Sequence, residues 1–88
     1  MDANFEGADA RGVSFEKCQL DNTNLKNINA SGGYFSQSLL DAKTLEGGDF
    51  TDASIPEKTQ MLVCEREDTK GTNPMTGVDT RESLMCLD

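Results

Sequence analysis

Phe15-Glu16-Lys17-Cys18-Gln19-Leu20-Asp21-Asn22-Thr23-Asn24-Leu25 places a large apolar residue at every fifth position, and the same phase continues in both directions. Outward from this stretch the series reads Phe5, Ala10, Phe15, Leu20, Leu25, Ala30, Phe35, Leu40, Leu45, Phe50 and Ile55, with no polar residue among the eleven. Only 35% of the chain is hydrophobic, so a helical or strand period does not produce this run. The repeat is five residues long. Two positions earlier runs a second series, mostly short side chains: Ala3, Ala8, Val13, Cys18, Thr23, Ile28, Gly33, Ser38, Lys43, Gly48 and Ala53. The position after each large residue is polar from Glu6 to Thr51 and is expected to face water.

The triplets Ala3-Asn4-Phe5, Cys18-Gln19-Leu20 and Thr23-Asn24-Leu25, a small residue, any residue, then Leu or Phe, resemble the pentapeptide-repeat family across residues 1 to 55. The resemblance implies an all-β solenoid, a right-handed quadrilateral β-helix in which four pentapeptides make one turn. Residues 1–55 would then form just under three coils, and residues 56–88 a short helical cap. Side chains 20 apart should stack at the roughly 4.8 Å spacing of neighbouring strands. The expected columns are Phe5/Leu25/Leu45, Ala10/Ala30/Phe50, Phe15/Phe35/Ile55 and Leu20/Leu40. Ile28 beside Ala30 reads as a size exchange that conserves volume. Lys43 is the misfit: a charge is not buried alone, so its stem reaches outward or the chain bulges at Lys43-Thr44. Asn22, Asn24, Asn27 and Asn29 read as corner residues, and Asn29-Ala30-Ser31 as an unused glycosylation match.

Beyond Ile55 the period stops. Ser54-Ile55-Pro56-Glu57 resembles a capping box opening a helix over Lys58 to Glu65, whose Met61, Leu62 and Val63 would close the last coil. Residues 69–77 read as a loop, and Thr80-Arg81-Glu82-Ser83 as the start of a further turn ending at Cys86. The tail, Leu62-Val63-Cys64, then Gly71-Thr72-Asn73-Pro74, then residues 76–86, is similar to the C-terminal cap of pentapeptide-repeat proteins of the chloroplast thylakoid lumen and cyanobacteria. Those relatives carry the two cysteines as a disulfide, so the resemblance implies a Cys64–Cys86 bond and an oxidising compartment. Such a closure is worth about 3 kcal/mol in the chain-entropy model. Cys18 falls on the small inward phase and is expected to be a buried, inert thiol.

The chemistry open to this chain is narrow. It has 88 residues, no His, no Trp, three Cys and a net charge of −8. Histidine mechanisms are excluded, no cysteine pair has zinc-ligand spacing, and no metal or cofactor is expected. The acidic balance argues against a nucleic-acid binder. Gly32-Gly33 lacks the following helix and lysine of a phosphate loop, and Gly47-Gly48-Asp49 is a single copy of what a calcium repeat needs several of. The carboxylates fall on outward phases and form no acid and base pair. A thiol exchanger using Cys64 and Cys86 would need closer spacing. No segment approaches the roughly 20 apolar residues of a membrane span, and the first residues lack a signal-peptide pattern. Because the repeat starts in mid-pattern, a targeting segment is expected to have been removed or to lie outside this sequence.

The expectation is a scaffold rather than an enzyme, with a protein partner and no small-molecule substrate or direct membrane insertion. The lumenal resemblance implies an accessory or assembly subunit peripheral to a photosystem or another thylakoid complex. Ala3, Phe5, Ala8 and Ala10 form a candidate partner-facing open end. The alternative is an acidic DNA mimic, as in gyrase-binding members of the family. Residues 1–55 carry nine acidic and four basic residues, but reach only about 14 Å as a rod.

Overall fold

The computed structural model describes residues 3–86; the ends of the two expected domains, at residues 1–2 and 87–88, lie outside them. Residues 20 apart pair in parallel across three levels, Asn4–Asn24–Thr44, Asp9–Asn29–Asp49 and Ser14–Tyr34–Ser54. Each middle residue turns both backbone groups to the level before it: Asn24 donates its N–H to Ala3 and accepts from Phe5 through its carbonyl, at 2.9 and 2.8 Å, while its neighbours Thr23 and Leu25 bond to the level after. The pairings are isolated bridges rather than strands. A five-residue side spends most of its length turning, so one residue per side is left straight enough to pair.

The corners explain the composition. The N–H of each small residue bonds to the carbonyl of the large apolar residue three before it, as in Ala8 to Phe5 and Ile28 to Leu25. In most of these turns the third residue takes positive φ, which Gly7, Gly12, Asn22, Asn27, Gly32, Gly47 and Asp52 supply, at 57° to 75°. The bridge residues brace the same corners: the side-chain oxygens of Asn4, Asn24, Asn29, Thr44 and Asp49 accept from the N–H two residues on. The asparagines are thus divided between two corner roles.

Inside, Phe15 and Phe35 stack with centroids 5.1 Å apart and planes 13° from parallel, and Phe5 and Phe50 meet this pair edge-on. Leu20, Leu25, Leu45 and Phe50 are buried, whereas Phe5 and Ile55 are half-buried. Ile28 and Ala30 are both wholly buried. Phe50 fits beneath the alanines because Gly48 yields its side-chain space: a Cβ there would lie 2.5 Å from the ring.

The fourth side departs from the period. Leu39 is the buried residue, and Leu40, expected in the core column under Leu20, is half-buried. Residues Gln37–Asp41 form a 3-10 helix whose entry is capped by Ser36. Gln37 stands where most corners have Gly, Asn or Asp, and the chain takes a helical turn there that brings its next apolar residue inward one position early. Ala42 then bonds to Leu39 as the small residue of the following corner. The lost residue is recovered at once: Lys43 donates to Thr23 while Thr44 accepts from Leu25, so two residues face one. This is a bulge, and it turns Lys43 out into solvent and restores the phase at Leu45.

The cap begins with helix α1, Glu57–Cys64, and ends with α2, Thr80–Ser83. The expected capping box is absent, because Ser54 is held in its bridge to Tyr34 and Pro56 occupies the N-cap. Met61 and Leu62 do not close the coil: they are 58% and 41% exposed, while Thr59 and Val63, one turn apart, point inward with Leu84. The second helix ends at Ser83, short of Cys86, and Asp79 caps it. Replacing Gly48 by Ala should lower stability by about 1–3 kcal/mol through overpacking against Phe50. A urea titration checks this as a lower midpoint with unchanged slope.

Candidate functional site

The two ends of the coil are finished differently, and the cap accounts for one of them. On the last level Leu45 donates its N–H to Asp68 at 3.3 Å, Gly47 to the Lys70 carbonyl at 2.9 Å and Phe50 to the Ser83 hydroxyl at 3.0 Å. These are groups that a further level of coil would otherwise bond, so the cap supplies their partners.

Three side chains carry the closure. Arg66 bonds both oxygens of Asp68 at 2.9 Å and reaches the carbonyls of Leu40 and Ala42 at 2.8 and 2.9 Å, gripping the irregular segment. Asn73, fully buried, donates to the carbonyls of Asn27, Ile28 and Gly47 while its oxygen accepts from Met75 and Thr76. The third is the disulfide Cys64–Cys86, with Cα atoms 5.5 Å apart, flanked by Gln60, which donates to the Leu84 carbonyl, and by Arg81, which donates to the Cys64 carbonyl. Asn73, Arg66 and Asp68 were not singled out in the sequence; a polar residue inside a cap gives no periodic signal, though Asn73-Pro74 marked the turn.

At the other end, Ala3, Phe5 and Ala8 are half-buried and Ala10 is buried at 5%. The proposed open end is therefore less exposed than the sequence suggested, because the edge contact of Phe5 with Phe15 closes much of it. Cys18 is half-buried rather than buried, beside a corner where Lys17 lacks the positive φ of its counterparts. It borders a groove of about 1070 Å³ on side four, formed by residues 16–21, the 3-10 helix and α1.

The ionisable groups behave as structural groups. Burial raises the pKa of Asp49 and Asp68, but hydrogen bonds from Thr51 and Thr76 to the first, and the Arg66 guanidinium and Leu45 N–H on the second, outweigh it and leave both below the usual carboxylate value. Among the described residues no group of three or more His, Cys, Asp or Glu is placed to hold a metal ion, and no helix is long and apolar enough to cross a membrane.

The fold and these surfaces define a class: a short solenoid with one end closed by a disulfide-stapled cap. Residues 1–37 match the family model described as pentapeptide repeats, in eight copies. The first part of the coil is thus similar to that family, and the match ends at Gln37, where the 3-10 helix begins. Over 47 residues, 53% of this chain, the sequence is 47% identical to the chloroplastic thylakoid lumenal protein TL20.3 of Arabidopsis thaliana, of which that stretch is 16%. The 1.7 Å crystal structure of a pentapeptide repeat protein from the Arabidopsis thaliana thylakoid lumen superposes on 98% of this chain with a TM-score of 0.82 and 28% identity, covering 59% of that protein. The chain therefore resembles lumenal pentapeptide-repeat proteins while spanning only part of their length.

Two outcomes follow. Asn73→Asp turns a carboxylate toward three carbonyls and should cost about 3–5 kcal/mol, read as a lower urea midpoint. Because the folded pKa values of Asp49 and Asp68 are depressed, their stabilisation is present above the unfolded value near 4 and is lost as pH falls through the folded values. Thermal midpoints should hold from neutral pH to about 5 and drop below about 4, with a shallower drop in Asp68→Asn.

Proposed function

We propose that this chain is a non-catalytic protein-binding module of the thylakoid lumen, peripheral to the membrane, serving a photosynthetic complex as an accessory or assembly subunit. In this reading the coil makes just under three right-handed, four-sided turns, as the 20-residue offset of every bridge from Asn4 to Ser54 supports. The observation that carries the function is the fit, over 98% of the chain, to a lumenal pentapeptide repeat protein. That fit extends through the capped end, where a half-exposed disulfide suits an oxidising compartment. Buried Asn73 and Ser83 are engaged in closing the cap, which leaves the outer sides for recognition.

The DNA-mimic reading draws no support from the shape. The molecule measures 28 × 26 × 22 Å, so it lacks the long acidic axis that would imitate a duplex. Proximity labelling from the tagged chain in intact thylakoids tests the proposal. Labelling should concentrate on lumen-facing subunits of one membrane complex; recovery of gyrase, or of no thylakoid complex, would overturn it.

A further inference from the structure

We infer that this module binds its partner through side three together with the adjoining groove on side four, and that the partner presents an apolar patch bordered by basic residues. The inference rests on the protein-binding reading above and assigns that function a surface.

Side three is the one whose bridge residues, Ser14, Tyr34 and Ser54, remain exposed on all three levels and carry no charge. Sides one and two are covered on their last level, where Gly47, Gly48 and Asp49 are buried under the cap. Tyr34 stands at the centre of this open face, 47% exposed, with Val13 beside it at 42%. Exposed tyrosine on a rigid, flat support is a typical interface anchor, because it offers large contact area at little entropic loss.

Around the corner the groove continues the same surface. Its floor includes Leu40, displaced outward by the register slip, the half-buried Cys18, and Leu62 of α1, 41% exposed. The combination matters because a stable interface buries about 800 Å² on each partner. That is roughly one-sixth of the 5059 Å² exposed by this molecule. Flat face and groove together supply it, and the groove gives an apolar side chain somewhere to enter.

Charge chooses between occupants. Glu16, Asp21 and Asp41 line the groove against Lys17 and Lys58, and the chain as a whole carries −8. A second copy would set acidic rim against acidic rim, whereas a basic rim is attracted during approach and paired on contact.

The test places a photo-crosslinking amino acid in the full chain at position 34 or 62, and separately at position 26 or 11 on sides one and two, in opened thylakoids with membranes and lumen kept together. Adducts from 34 and 62 should join one polypeptide within a segment of net positive charge. They should fall about tenfold with Leu62→Glu at the first position, or Tyr34→Ser at the second. About 0.5 M salt should weaken them by screening. Both substituted side chains already face solvent, so the thermal midpoint should stay in place and report folding. Adducts to another copy of this chain, or to an acidic segment, overturn the inference. Adducts from 26 and 11 alone remove this surface while leaving the module reading intact, and adducts from no position remove both.

Discussion

Every part of this structure depends on a corner that closes after five residues. The bond from a small residue's N–H to the carbonyl three before it, repeated from Ala8–Phe5 to Ala53–Phe50, fixes where the chain bends and which side chains point inward. With the bends fixed, the residue between them must find its partner on the next level, and the 20-residue offset follows. Large residues at one inward phase and short ones at the other then become a packing requirement: Gly48 beneath Phe50 shows how little room is left when both are filled.

That dependence explains what could be read from the sequence. The eleven apolar positions, the outward polar phase and the Gly, Asn and Asp corners all express one constraint repeated, so a single chain suffices to reveal it. The slip at Leu39 was hidden, because Leu39 and Leu40 are equally apolar and the period alone favours the second. Two signals flanked it. Gln37 cannot easily take the left-handed turn, and Lys43 cannot sit inside; a shift of one residue between them removes both difficulties. The cap was legible as a helix and a cysteine pair. Its inward face was not, since Met61, Leu62 and Val63 are adjacent and only the direction in which α1 leaves Pro56 decides that Val63 is the buried one.

The closure follows a different logic from the coil. A repeat can bond its neighbours but not its own end, so the last level needs groups from outside the pattern. Here a carboxylate, a backbone carbonyl and a hydroxyl each take one N–H, while one buried amide serves three carbonyls. None of these residues lies within the five-residue repeat, which is why the pattern gave no warning of Asn73 or Asp68. The disulfide joins the end of α1 to the segment carrying Leu84, so it holds together the two pieces that cover the interior.

On the proposed reading, the register slip ties this architecture to recognition. A regular fourth side would have placed Leu40 inside and kept the surface flat, with nothing to distinguish it from its neighbours. By drawing Leu39 inward, the 3-10 helix leaves Leu40 at the surface and replaces a backbone bridge with the Ser38 hydroxyl on the Cys18 carbonyl. The side opens into a groove at the point where the pentapeptide match stops. Arg66 then fixes the displaced segment by its carbonyls, which makes the irregularity rigid. A departure from the repeat that the cap takes care to hold is the feature most able to give an otherwise uniform coil a preferred partner.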